Sequence, residues 1–382
     1  MTSVYFDNAA TTQMRDEVVN RMSEVMKSIY GNPSSTHAYG RQAKSLIESC
    51  RKQIAKTLNV TAAEIFFTSG GTEADNLILR GAVRDLGVTR IISSKIEHHA
   101  VLHTIDALVS EYGIKADFVN VNSNGQVDVE HLETLLQESS VKTLVSLMHI
   151  NNEVGTILDL PAVAALCKQH QALFHSDTVQ SVGHYHLDLQ EVPADFIVAS
   201  AHKFHGPKGI GFAFVRKNSG LRSSIHGGQQ ERGLRAGTES VHNIVGLEES
   251  FKLAYEHLEE EKKYIQKLKD YFIAQLEQQL PGVGFNGDCS KKDHGTYTLL
   301  NVCLPFAKEK SALLQFQLDL KGIACSKGSA CQSGSSQNSH VLTELLDDEH
   351  LARPSVRFSF SKYNTKEEID YVVNVLREFS EN

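Results

Sequence analysis

The stretch from Asp195 to Gly211, DFIVASAHKFHGPKGIG, constrains the fold of this chain more than any other. Five of the six residues from Phe196 to Ala201 are apolar, with no alternation, which is the pattern of a strand covered on both faces. Gly206, Pro207, Gly209 and Gly211 then turn the chain into a second apolar run, Ile210 to Val215. Lys203 therefore stands at the end of a buried strand. An ammonium group is costly there unless its pKa is lowered to make an amine nucleophile, and capping the strand end is the plainer alternative. From residue 83 to 215 helix-like and strand-like segments alternate, the sign of a mainly parallel sheet with helices on both faces. In such a sheet the strand ends line the ligand crevice.

The 382 residues exceed what one ordinary core holds, so two domains are expected. The boundaries fall as an N-terminal segment, 1–15, packing with the small domain, a large domain at 16–257, and a small α+β domain at 258–382. A net charge of -8 with no basic run excludes nucleic acid as the main partner. The chain opens on a strand-like VYF without a charged-then-apolar leader, and no apolar run approaches membrane-spanning length. A cytoplasmic protein without membrane contact is expected. The six cysteines lack paired spacing, so neither a disulfide framework nor a zinc site is indicated.

Strand ends carry the polar clusters. In EIFFTSGGTEADN a short strand, Ile65 to Phe67, meets the pair Gly70 and Gly71, and Thr72 starts a helix with Glu73 and Asp75 in its first turn. Free N–H groups and the helix dipole make this an anion site suited to one phosphate; an ordinary strand-to-helix turn is the alternative. Ile96 leads to Glu97, His98 and His99; Met148 to His149, Asn151, Asn152 and Glu153; Phe174 to His175, Ser176, Asp177 and Gln180. A loop from His226 to Thr238, with its glycines and arginines, is either a second anion binder with Thr238 at an N-cap or a solvated surface loop. Arg357 lies opposite Val356 and Phe358 on a late strand and meets solvent or the domain cleft. Residues 325–340, CSKGSACQSGSSQNSH, are too polar to bury a core and should form a mobile loop. Cys331 is out of place there as a packing residue, whereas Cys325 is explained by strand-end packing.

A strand-end lysine, a single-phosphate cradle, an acid and a flat aromatic partner together suit pyridoxal phosphate. Lys203 would form the Schiff base, Asp177 would hold the pyridinium proton, and His98 would stack on the ring. His202 is placed for the phosphate.

The motifs FDNAATT (6–12), TSGGTEADN (68–76), EHHAV (97–101), MHINNEVG (148–155), HSDTVQSVG (175–183), SAHKFHGPKGIG (200–211), ERGLRAGT (231–238) and GSAC (328–331) resemble those of the cysteine desulfurases. These are class V relatives among fold-type I pyridoxal-phosphate enzymes. The resemblance spans essentially the whole chain and implies an α/β fold-type I transferase with a large domain and a small one. It implies Lys203 as Schiff-base lysine, and Gly71, Thr72, Ser200 and His202 around the phosphate. Asp177 and Gln180 would serve the ring nitrogen and oxygen, and Asn152 and Arg357 the substrate carboxylate. Thr238 would complete the phosphate site of a second subunit, which implies a homodimer.

The long loop with GSAC is similar to the subgroup that serves iron-sulfur cluster assembly, so a sulfur-acceptor or iron-sulfur scaffold protein is an expected partner. L-cysteine is then converted to L-alanine, with Cys331 as thiolate taking the sulfur as a persulfide and His98 helping to deprotonate it. Gly71, Gln332, Lys327 and Thr178 depart from the family pattern without removing a reacting group. A selenocysteine lyase on the same fold and an inactive cluster-assembly scaffold are the alternatives.

Overall fold

The computed structural model describes residues 3–138, 141–307, 310–327 and 339–381. The apolar runs form one seven-stranded sheet. Its strands are β2 (Ile65–Thr68), β3 (Arg90–Ser93), β4 (Lys115–Phe118), β5 (Thr143–Ser146), β6 (Leu173–Asp177), β7 (Phe196–Ser200) and β8 (Gly211–Val215), following a short β1 (Val4–Tyr5) that lies elsewhere. The order is β2-β8-β7-β6-β5-β3-β4, and only the pairs that involve β8 are antiparallel.

The unbroken apolar character of β7 has the cause read from its sequence. Ile197 and Ala199 join a core with α1 (Asp16–Ser28), α2 (Ala38–Thr57), α5 (Val129–Gln137), α6 (Leu160–Gln169) and α7 (Val241–Glu256). Phe196 and Val198 face a second core built on α3 (Gly71–Leu86) and α4 (His99–Tyr112). Side chains alternate across a strand, so a strand covered twice must be apolar throughout. Gly211 has a packing reason of its own. A Cβ there would lie 2.3 Å from the Ala199 carbonyl oxygen and 2.8 Å from Gly70 Cα, so only glycine lets the β2-to-α3 turn lie across the sheet.

A second body has its own core. Here β9 (Gly284–Phe285), β10 (Leu299–Cys303) and β12 (Ser355–Ser359) form an antiparallel sheet, with α8 (Leu258–Gln279) and α12 (Lys366–Glu381) contributing Phe272, Leu276, Val372 and Leu376. The helix α12 opens on a capping box: Thr365 N donates to Glu368 Oε2 at 3.0 Å and Glu368 N to Thr365 Oγ1 at 3.3 Å. The first residues of the chain belong to this core. β1 pairs in parallel with β11 (Ile323–Ala324), and Phe6 is fully buried against Phe272, Phe358 and Phe360. α9 (Lys310–Leu320) adds Leu314 and Leu318 to this core, whereas α10 (His340–Leu345) and Leu351 of α11 (Asp348–Leu351) pack in a separate small cluster with Ile96 and Val154.

One expectation is corrected. Thr238 is not an N-cap: α7 begins at Val241 after Ser240, and Gly237 at φ 112° leaves the chain still turning as it reaches Thr238, whose side chain is exposed.

Candidate active site

β7 ends at Ser200 and one tight turn, Ala201–Lys203, swings the Lys203 side chain over the sheet edge. Its amine donates to two backbone carbonyls of the N-terminal segment, Ala9 at 2.6 Å and Ala10 at 3.0 Å. That segment is fixed in turn by Thr12, whose N and Oγ1 donate to the His202 carbonyl at 2.9 and 3.0 Å. The amine faces a cavity of about 230 Å³. Ten residues singled out in the sequence line it: Gly71, Thr72, His98, Asn152, Asp177, Gln180, Ser200, His202, Lys203 and Arg357. Thr238 is not among its lining residues, and Cys331 lies outside the described residues. Ala9, Ala10, Met148 and Val179 also line it without a mark in the sequence pattern, and Asp75 has the sequence context of an ordinary first-turn acid.

One end of the cavity is an anion cradle. Gly70 has φ 155° and ψ −173°, a region open essentially to glycine, and it caps α3 without a side chain, leaving the first-turn amides to the cavity. A Cβ on Gly70 would come within 3.4 Å of Ser200 Oγ, so the missing side chain also keeps the serine hydroxyl open. The Glu73 carboxylate is held by the Ser69 amide at 2.9 Å and by both arms of Arg235, the shorter at 2.8 Å, and takes no place in the lining. Burial pushes the His202 imidazole down to about 4, with Lys203 and Lys208 adding to it, so it faces the cradle neutral.

The other end is acidic and aromatic. Asp177, at the last position of β6, is 6% exposed and accepts from Val179 N at 2.9 Å. Burial raises its carboxyl, while His98 and Lys203 draw it back toward the ionised form. His98 precedes α4 and caps it, Nδ1 accepting from Ala100 N at 3.1 Å, which leaves Nε2 to carry the proton in the neutral ring. Gln180 Nε2 donates at 3.0 Å to the same Ala9 carbonyl that holds Lys203.

Arg357 turns to the cleft, not to solvent, at 1% exposure. It donates to the Asn152 carbonyl at 2.7 Å and to Asp7 Oδ1 at 2.9 Å, while its buried Nε has no partner among the described residues. Both flanks of the 328–338 segment are tied to this region. Ser326 pairs with the Arg357 backbone, and His340 Nε2 lies 2.9 Å from the Glu97 carbonyl oxygen.

Glu97 is 1% exposed and accepts from Ser94 Oγ at 2.7 Å and Met148 N at 3.1 Å. Burial nevertheless pushes its carboxyl up from 4.5 to about 8. Between those values the folded chain holds a proton that the unfolded chain has released, so the stabilising contribution is complete below about pH 4.5 and fades as pH rises toward 8. Urea unfolding of Glu97→Gln across this window is expected to show a flatter fall in stability than the parent chain; an unchanged slope would refute the assignment.

The chain belongs to the aminotransferase class-V family, whose model matches residues 4–372. It is 39% identical over 380 residues to a cysteine desulfurase IscS of Dictyoglomus turgidum, covering 99% of this chain and 94% of that protein. The solved structure of a NifS-like protein superposes with a TM-score of 0.90 at 37% identity, covering all of both chains. The structure of SspA in complex with cysteine superposes with a TM-score of 0.81 at 30% identity, covering 95% of this chain and all of that one.

Proposed function

We propose that this chain is a pyridoxal-phosphate-dependent cysteine desulfurase that converts L-cysteine to L-alanine and passes the sulfur to Cys331. The observation that carries the reading is the single cavity in which the Lys203 amine, the Asp177 carboxyl and the open N-terminus of α3 face one another. Relatives matched over nearly their whole length are cysteine desulfurases, and class-V enzymes use pyridoxal phosphate in general. The residues fit that cofactor. The Gly70–Gly71 turn with Thr72, Ser200 and His202 would hold the phosphate, Asp177 and Gln180 the ring, and His98 would cover its face. When bound, the cofactor supplies an electron sink for the bond changes at the substrate's α-carbon.

The chain's own residues do the rest. Lys203, whose amine faces the pocket, would be the base that moves the α-proton. Asn152 and Arg357 would orient the substrate carboxylate. The Cys331 thiolate would attack the substrate's thiol sulfur, forming the S–S bond as the Cβ–S bond breaks. The electron pair stays with the carbon skeleton, which is protonated to alanine, and the persulfide passes to an acceptor protein of iron-sulfur cluster assembly. In this division residues 16–257 hold the cofactor, 258–382 carry the cysteine, and 1–15 join the latter. Thr238, exposed on its loop, would complete the phosphate site of a second copy, and sedimentation at twice the 42.3 kDa chain mass tests the homodimer. A cytoplasmic location agrees with the lack, among the described residues, of any helix long and apolar enough to cross a membrane.

Adding pyridoxal phosphate should give a coloured protein that releases equal amounts of alanine and sulfur from L-cysteine with a thiol present. A protein that stays colourless overturns the reading. For Arg357→Lys, KM for L-cysteine should rise on the order of 10–100-fold with a smaller change in kcat, because an ammonium cannot reproduce the two-pronged hold of a guanidinium. An unchanged KM removes Arg357 from the carboxylate site.

A further inference from the structure

Asp75 and His175 lie beside the pocket and have no part in the chemistry above. Asp75 is 1% exposed on α3 and lines the cavity. His175 is fully buried on β6, two positions before Asp177, so the two side chains leave the same face of the strand. Asp75 Oδ1 is 3.3 Å from His175 Nε2, and neither atom has another hydrogen-bond partner among the described residues. Across the ring, His175 Nδ1 lies 2.9 Å from Ser146 Oγ. Ser146, His175 and Asp75 therefore make a line from the sheet interior to the pocket wall.

Two proton arrangements satisfy this line. Either an Asp75 carboxylate accepts from Nε2–H, or an Asp75 carboxylic acid donates to a bare Nε2 while Nδ1–H donates to Ser146. An imidazolium is disfavoured, since burial pushes His175 down to about 3. The choice falls on the charge of the wall. Asp75 shares it with Asp177 on β6 and with Glu97 ahead of α4; the basic groups nearby, His98 and Lys203, act on Asp177. No lysine or arginine among the described residues pairs with Asp75. Burial first, then Asp177 and Glu97, hold its carboxyl well above the usual range.

We propose that Asp75 is a positioning residue for Asp177: it stays a neutral carboxylic acid whose O–H donates to His175 Nε2, leaving Asp177 as the carboxylate that meets the cofactor. The proposal rests on Asp177 being the partner of the ring nitrogen. One negative charge offsets one protonated ring nitrogen, whereas a second would stand uncompensated in a dry wall and repel the substrate's carboxylate.

The test has two parts. Nitrogen-15 NMR of histidine-labelled protein without added cofactor, assigned with His175→Gln, should show His175 protonated at Nδ1 and bare at Nε2 from pH 6 to 8. In Asp75→Asn, whose amide N–H replaces the acid O–H, the tautomer should persist. The pH midpoint of the visible absorbance of the loaded protein should move by less than about 0.3 unit, and the cofactor Kd should stay within about threefold. A wild-type ring protonated at Nε2, or a midpoint that falls by about one unit or more in Asp75→Asn, would mean that Asp75 carries a charge and would overturn the proposal. The wild-type tautomer is decisive even if the variant fails to fold. It is also read without colour, so a colourless wild-type protein sinks the functional reading and with it the role of Asp177, while the tautomer still reports whether Asp75 is neutral.

Discussion

Replacing Lys203 by alanine is expected to give a folded protein that binds pyridoxal phosphate but retains none of it covalently after borohydride reduction, and whose alanine output falls by roughly 10²–10⁴-fold. On the proposed reading the loss would have two sources, the missing Schiff-base amine and the missing base at the α-carbon. Folding should survive, because the hydrogen bonds to the Ala9 and Ala10 carbonyls that the variant loses are made at a pocket and not in a packed core. Those carbonyls line an open cavity and can be hydrated in the variant. Digestion and mass spectrometry of the reduced parent protein should find the cofactor on the peptide holding Lys203. Finding it on another lysine, or full activity in Lys203→Ala, ends the assignment.

Cys331→Ser is expected to separate binding from transfer. L-cysteine should still change the visible spectrum, since that step uses Lys203 and the Asn152–Arg357 corner and not the loop. Sulfur transfer should be lost, because a hydroxyl is a far poorer nucleophile toward sulfur at neutral pH than a thiolate. Reach is not an obstacle: Ser326 is tied to the backbone of Arg357, a lining residue, and five further residues span up to about 18 Å when extended. Cys325 is the contrasting case. Burial pushes its thiol up to about 12, which keeps it un-ionised and unreactive, and Cys325→Ser should retain activity. Mass spectrometry after L-cysteine alone should find one extra sulfur on the peptide containing Cys331. Finding it on Cys325, or undiminished alanine from Cys331→Ser, would turn the loop back into a linker.

The sequence carried the sheet because β7 and β8 are buried on both faces, and an unbroken apolar run next to a glycine turn admits few other readings. The strand-end residues followed, since the fold itself brings strand ends together. What escaped were contacts made across the chain. Asp75 has the composition of a solvated first-turn acid, and only the neighbouring strand, with His175 on it, shows that it points inward. Arg357 sits on a period-2 strand whose far face is ordinarily wet; here that face meets Asp7 and Asn152. The backbone carbonyls of Ala9 and Ala10 leave no mark in side-chain patterns at all. β1 and β11 are two residues each, too short for any periodicity to register.

The pairing of the first strand with the end of the chain has a consequence during synthesis. Val4, Phe6 and Ala9 complete a core whose other members include Phe358 and Phe360, and Asn8 Nδ2 donates to the Ser359 carbonyl across 351 residues. At roughly 5–20 residues per second, the ribosome takes on the order of 20–70 s to make that stretch. Through that interval the α/β body can condense while an apolar N-terminal tail waits for its partners. The amine of Lys203 waits with it, because the carbonyls that hold it belong to the tail. A nascent chain stalled before β12 would therefore expose both an adhesive segment and an unclosed pocket, the state in which holding factors and proteases have their best access.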